Sequence, residues 1–169
     1  MQIREWTEQD LPAMAAIWND VIDAGTFFPD EERLDEDGMR RMAESQSFMG
    51  VAGEAPEQSQ ASEERAPRIV GLYLLHPNGK GRCAHVANCG YMVASDARGH
   101  GVGRQLVQAS IEKAAQLGFH GIQFNAVVAT NTSAIALYES CGFQRIGTIP
   151  EGYRTNAGFE DMHIFYRTL

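Results

Sequence analysis

Arg98-Gly99-His100-Gly101-Val102-Gly103-Arg104 is the stretch whose reading decides the fold. Ahead of it, Gly90-Tyr91-Met92-Val93-Ala94 has the apolar character of a strand end, and behind it a one-sided helix is expected from about Gln105 to Leu117. The order is therefore strand, glycine-rich turn, helix. Three glycines at alternate positions let a ligand approach the backbone without meeting Cβ atoms. The helix start adds N–H groups without intrahelical partners and the positive end of a dipole, which together favour a bound phosphate. No Gly-Lys-Ser or Gly-Lys-Thr completes a nucleotide P-loop, and Asp96-Ala97-Arg98 places a cation just before the turn, where a dinucleotide fingerprint needs none. A turn that only joins strand to helix is the plainer alternative.

Downstream, Gly121 to Ala129 alternates, with Ile122, Phe124, Ala126 and Val128 on one face and Gln123, Asn125 and Val127 on the other. Strand, helix and strand joined by a crossover of this length predict a parallel βαβ unit. The segment Asn131-Thr132-Ser133-Ala134-Ile135-Ala136-Leu137-Tyr138-Glu139-Ser140-Cys141-Gly142-Phe143 reads as a short helix capped at Asn131 and stopped at Gly142. Within it, Ala134, Leu137, Tyr138 and Cys141 form a core-type stripe, so Tyr138 has a packing explanation.

Upstream, Ile3 to Trp6 reads as a strand and Thr7-Glu8-Gln9-Asp10 as a capping box. Leu11, Met14, Ala15, Trp18, Val21 and Ile22 recur on one helical face. Gly25-Thr26-Phe27-Phe28-Pro29-Asp30 ends that helix, and a second, charged helix is expected over Asp35 to Ser45, weakened by Gly38. Ser47 to Gly53, Ile69 to Leu75 and Ala84 to Val93 read as strands. Glu54 to Pro67 carries too few apolar residues to order itself by burial and is expected to be a mobile hairpin loop.

A chain of 169 residues fits a single domain over 1–169. It has no apolar run near the ~20 residues that span a bilayer and no basic segment leading into an apolar one at its start, so a cytoplasmic protein is expected. Cys83, Cys89 and Cys141 lack both the pairing number and the spacing of a disulfide framework or a metal site. A net charge of −8 argues against nucleic acid as a partner. An anionic ligand would then need local cations, for which Arg98, Arg104 and Lys113 are the candidates.

Arg98-x-x-Gly101-x-Gly103 resembles the pyrophosphate loop of the GNAT superfamily of N-acetyltransferases, and Asn-x-x-Ala-x-x-Leu-Tyr-x-x-x-Gly-Phe from Asn131 to Phe143 resembles its second signature. The resemblance covers most of the chain and is strongest from Gly90 to Phe143. It implies an α/β fold with a mixed, mostly antiparallel sheet of six or seven strands, helices on both faces, and a cleft where two parallel strands part. It implies acetyl-CoA as acyl donor, without a metal, and a small amine as acceptor. Of the site residues, Arg98, Gly99, His100, Gly101, Val102, Gly103 and Arg104 would bind the CoA pyrophosphate and Asn131 the pantetheine arm. The main chain at Met92, Val93 and Ala94 would pair with pantetheine and polarise the thioester carbonyl, and Tyr138 would protonate the leaving thiolate.

Phe27, Phe28, Tyr73, Asn125 and Asp161 are the candidates for the acceptor site, although Phe27 and Phe28 could equally close the core edge. The glutamate that the superfamily often carries on the strand before the loop has no counterpart between Ala84 and Val93; His85, Asp30, Glu31, Asp161 or a water could replace it. Ile17-Trp18-Asn19-Asp20-Val21 and Gly25-Thr26-Phe27 are similar to acetyltransferases of the phosphinothricin and amino-acid-analogue type, which implies an amino acid or analogue as acceptor. A protein or peptide acceptor and a non-catalytic acyl-CoA sensor are the competing readings. Dimers are common in the superfamily, so a homodimer belongs with the resemblance.

Overall fold

The computed structural model describes residues 1–54 and 67–169. The loop expected between Glu54 and Pro67 lies, apart from those two end residues, outside the described residues. Seven strands form one sheet in the order β1-β2-β3-β4-β5-β7-β6: β1 (Gln2–Glu5), β2 (Phe48–Glu54), β3 (Arg68–Pro77), β4 (Val86–Val93), β5 (Gly121–Val128), β6 (Gln144–Thr155) and β7 (Gly158–Thr168). Every neighbouring pair is antiparallel except β4 with β5, so the crossover between those two strands is the predicted βαβ unit.

Helices α1 (Leu11–Ala24) and α2 (Glu36–Ser45) cover one face of the sheet. The approach to α1 is set by chemistry visible in the sequence: Asp10 Oδ2 accepts from the Thr7 N–H at 2.7 Å and the Thr7 hydroxyl at 2.9 Å, while Arg4 grips both carboxylate oxygens at 2.7 and 2.9 Å. Leu11, Met14, Ala15, Ile17 and Trp18 then bury against Met49, Val51, Leu72, Leu74 and Met92. Helix α3 (Val102–Gln116) packs on the opposite face through Val102, Leu106, Val107 and Ala114, over Ala52, Val70, Leu75, Ala87 and Ile122. Helix α4 (Thr132–Ser140) lies beside it, with Leu137 and Tyr138 against the same cluster.

Two expectations are corrected. Helix α3 begins at Val102 rather than near Gln105, so the last residues of the glycine stretch are already its first turn. On β5 the alternation breaks: the register with β7 shifts between Phe124 and Val127, and Val127 joins Ile122 and Phe124 in one core cluster. An extra residue in a strand turns the side chains beyond it to the other face.

The position of the site follows from the pairing of β4 with β5. It is confined to Val86 with Gly121, Ala87 with Ile122 and Asn88 with Gln123. Past Asn88 the two strands part, and the sheet opens in its middle.

Candidate functional site

The opening continues into a cleft of about 1130 Å³. One wall is the glycine stretch. After β4, a single turn over Ser95–Ala97 buries Ala97, Arg98 is extended, and Gly99 and Gly101 take φ of +80° and +81°. Side chains rarely adopt that left-handed backbone, which is why glycine stands at both positions. Gly101 caps α3, and the first intrahelical bond runs from the Gln105 N–H to the Gly101 carbonyl at 3.2 Å. The N–H groups of Val102, Gly103 and Arg104 precede that bond and have no intrahelical acceptor. A Cβ built on Gly99 or Gly101 meets nothing within 4 Å, so the backbone there faces open space.

Arg98, Gly99, Gly101, Val102, Gly103 and Arg104 all line the cleft. Arg98 Nε donates to the Val93 carbonyl at 3.4 Å, and Arg104 donates to the Ser140 hydroxyl at 2.9 Å, which fastens α3 to the end of α4. His100 is exposed and is not among the lining residues. Lys113 is corrected outright: it sits in the last turn of α3 with its ammonium 4.1 Å from the Phe48 ring centroid, at the wrong end of the helix to serve the turn.

Helix α4 brings Asn131 and Tyr138 to the same cleft. Asn131 is the N-cap: its Oδ1 accepts from the Ala134 N–H at 3.3 Å and the Ser133 hydroxyl at 3.1 Å. That leaves its amide NH₂ as a donor. Tyr138 packs its ring 4.5 Å from Phe124 and 6.1 Å from both Tyr91 and Phe165. Among the described residues its hydroxyl has no hydrogen-bond partner. Burial, reinforced by the Cys89 thiol, holds its phenol well above the ordinary tyrosine range, so it carries its proton at neutral pH. Its neighbour Tyr91 differs, because Ser110 donates to the Val107 carbonyl at 2.8 Å and so accepts the Tyr91 proton at 2.7 Å. Cys89, on the cleft wall, is kept a thiol by burial, which pushes it up to about 12.

The backbone at the parting corrects part of the sequence reading. The Ala94 N–H donates to the Val70 carbonyl at 2.9 Å, and Met92 pairs with Leu72. Main-chain groups of an antiparallel strand face its partner at every second residue. Met92 and Ala94 are therefore bound to β3, while Tyr91 and Val93 turn their N–H and C=O groups toward the cleft. The His85 carbonyl, which accepts from the His120 N–H at 2.7 Å, marks the same edge of the chain. Met92 and Val93 line the cleft and Ala94 does not.

Of the acceptor-site candidates, Phe27, Phe28 and Asn125 line the cleft. Phe27 is 43% exposed at its rim, and Phe28 meets Trp18 edge-on at 5.4 Å. Asn125 belongs to a chain of amides that spacing alone did not reveal. Asn125 and Asn88 both donate to Asn78 Oδ1, at 2.6 and 3.1 Å, and Gln123 donates to Asn125 Oδ1 at 2.7 Å. Asn88, His76 and Gln46 also line the cleft and were missed. The available signal for Asn88 was an amide inside a strand, where Asn is depleted.

Tyr73 and Asp161 do not line the cleft. Tyr73 is a core residue, 2% exposed, whose ring fills the space above Gly50 and leans on Phe48. Asp161 is an exposed residue of β7 that accepts from the Glu151 N–H at 3.0 Å, steadying a non-glycine residue at φ +51°. His85 is also away from the cleft, with Nδ1 3.0 Å from the Arg82 carbonyl.

Comparison with known proteins points the same way. Residues 6–143 match the model of the Acetyltransferase (GNAT) family. The N-acetyltransferase aca1 of Schizosaccharomyces pombe is 35% identical over 113 residues, 66% of this chain and 54% of that one, so the chain spans about half of that relative's length. An L-methionine sulfoximine/L-methionine sulfone acetyltransferase of Pseudomonas paraeruginosa is 29% identical over 153 residues, 88% of this chain and 83% of that one. Among solved structures, a GCN5-related N-acetyltransferase from Kribbella flavida superposes with a TM-score of 0.86 at 36% identity, covering 99% of this chain and 97% of the other.

Proposed function

The chain belongs to the Acetyltransferase (GNAT) family, and from that membership we propose that it transfers the acetyl group of acetyl-CoA to the amine of a small molecule, an amino acid or amino-acid analogue. The observation that carries this reading is the meeting of two features in one cleft: the helix start at Gly101 to Arg104 and the half-buried, protonated Tyr138.

The diphosphate of the donor lies on the N–H groups of Val102, Gly103 and Arg104, with Arg98 supplying charge. The pantetheine arm runs along the open edge of β4, where Tyr91 and Val93 offer the main-chain groups that β5 would otherwise take. Asn131 reaches it with its amide NH₂. As the amine attacks the thioester carbon, negative charge gathers on the carbonyl oxygen, and a fixed main-chain N–H at the parting stabilises it. The carbon–sulfur bond breaks and Tyr138 gives its proton to the departing thiolate.

The amino-acid-analogue acceptor is supported by the name of the Pseudomonas relative and by the wall itself. Asn88 and Asn125 place amide donors on the acceptor side, suited to a carboxylate or a similar polar group. Thiol release from acetyl-CoA, measured against amino acids, their analogues, polyamines, aminoglycosides and short peptides, tests the reading. Stimulation by amino acids or analogues is expected. Stimulation by peptides alone would transfer the activity to a macromolecular acceptor, and binding without any release would make the chain a sensor.

A further inference from the structure

An amine reaches the cleft as an ammonium, which has no lone pair with which to attack. Four side chains were candidates to take its proton, and three are placed elsewhere. Glu31 is engaged by Arg154 at 2.8 Å, Asp161 by the Glu151 N–H, and His85 sits off the cleft beside Arg82. Asp30 is different. It is the one carboxylate among the described residues that line the cleft, and among those residues it has neither a hydrogen-bond nor an ion-pair partner.

The segment holding it is fixed on both sides. The Tyr153 hydroxyl donates to the Phe28 carbonyl at 2.7 Å, Trp18 Nε1 donates to the Glu32 carbonyl at 2.9 Å, and Asn19 exchanges two bonds with Leu34 at 2.8 and 2.9 Å. Pro29 fixes φ just before Asp30. The Phe28 ring lies over Gly90 of β4, where a Cβ would come within 3.2 Å of it. Asp30 thus stands two residues beyond the ring that packs on β4 at the parting, on the α1–α2 face. The glycine turn and α3 lie on the other face, so the two meet only through the opening in the sheet.

The charged groups nearby leave Asp30 to a ligand. Glu31 and Glu32 follow it in the chain; the cations Arg154 and Arg33 are held by Glu31 and Asp23. Asp30 stands exposed at the mouth; partial desolvation by the cleft wall first, and Glu32 second, raise its carboxyl above the ordinary aspartate range. On the same cleft wall, Gln46 has a buried Oε1 without a partner among the described residues, a second acceptor for an N–H.

We propose that Asp30 receives the ammonium of the acceptor at the α1–α2 mouth of the cleft and takes its proton, a role that rests on the acetyl-transfer reading above. One N–H bond of the ammonium breaks and an O–H bond forms on Asp30. The freed lone pair attacks the thioester carbon, and the nitrogen loses its second proton to solvent as the amide forms. Tyr138 protonates the thiolate and is reprotonated from solvent, and Asp30 releases its proton to water. The sum is one acetamide, one thiol and one proton.

The test compares wild type, Asp30→Asn, Asp30→Glu and Glu31→Gln with the best acceptor from the amine panel, following kcat/KM from pH 6 to 10. Asp30→Asn should lose on the order of 10²-fold or more at neutral pH. It should also regain activity about tenfold per pH unit toward the amine's own pKa, because free amine must then come from solution. Asp30→Glu should keep the wild-type pH profile at reduced rate, and Glu31→Gln should stay within about threefold of wild type. The melting-temperature rise on adding CoA should be equal in all four, which separates acceptor handling from folding and donor binding. An Asp30→Asn variant with wild-type kcat/KM and pH profile overturns the assignment while leaving acetyl transfer standing. Wild type that releases no thiol with any amine overturns both.

Discussion

Tyr138 is a residue for which packing and the proposed chemistry do not exclude each other. The stripe Ala134, Leu137, Tyr138 and Cys141 reads equally as core packing, and the ring is indeed packed on Phe124 and Phe165. Its place on the cleft wall is what packing alone does not require. Tyr138→Phe keeps the ring and removes the proposed proton donor: kcat should fall on the order of 10²-fold with CoA affinity within about twofold, measured by steady-state thiol release and calorimetry. The raised phenol sets a sign for pH. A tyrosine that holds its proton above the unfolded value near ~10 remains a donor through alkaline assay conditions, so kcat should not decline between pH 7 and 9. Above about 10 the unfolded phenols ionise before Tyr91 and Tyr138 do, and stability should fall with rising pH in thermal melts. Tyr73 is the contrary case. It stands opposite Gly50 in the β2–β3 register, and the missing side chain makes the slot that its ring fills. That relation depends on register and no local pattern displays it. Gly50→Ala would drive a Cβ into the ring and should cost roughly 1–3 kcal/mol in denaturant unfolding.

At the scale of elements, caps and glycines were legible because their reasons are local. The Thr7–Asp10 box and the Asn131 cap are where the residue types place them. Asp10 also carries a stability prediction. Burial works to raise its pKa, but the bonds from Arg4 and Thr7 outweigh it and hold the carboxyl below the usual range. A lowered pKa gives stability that is present above about pH 4 and is lost as pH falls through the folded value. Asp10→Asn should therefore cost roughly 1–2 kcal/mol at neutral pH, with the gap to wild type closing in acid. The glycine turn was legible as a motif, but α3 was begun one turn late. Val102 stands four residues before Leu106 on the buried stripe, so its own periodicity placed it in the helix. Gly101→Val forces a β-branched residue into the left-handed region and crowds the ligand's approach, and Gly103→Val adds bulk beside Leu137, 3.4 Å from a built Cβ. Both should weaken CoA binding at least tenfold by calorimetry, and Arg98→Ala by less and in a salt-dependent way.

For the whole molecule, the parallel unit was readable from element order and the helices on both faces were implied by the family resemblance, but the depth of the opening was not readable. It depends on pairing that stops after Asn88 and Gln123, a non-local fact that no window of sequence contains. The same is true of the amide chain from Asn78 to Gln123, whose members come from a turn and two strands. Their meeting is a product of the fold. Ligand linkage tests the cleft as a unit: CoA at about 100 times its Kd should add ~2.7 kcal/mol to the unfolding free energy, and the Gly101→Val chain should lose that increment.

A sheet divided between β4 and β5 is two half-sheets held at one end by three residue pairs. In the free protein, the amide hydrogens of Tyr91 and Val93 lack the strand partner that shields their neighbours Met92 and Ala94. Deuterium exchange should therefore be fast at the odd positions and slow at the even ones along a single strand. On the placement proposed for the pantetheine arm, donor binding should erase that alternation, the arm taking the position of the strand that turned away.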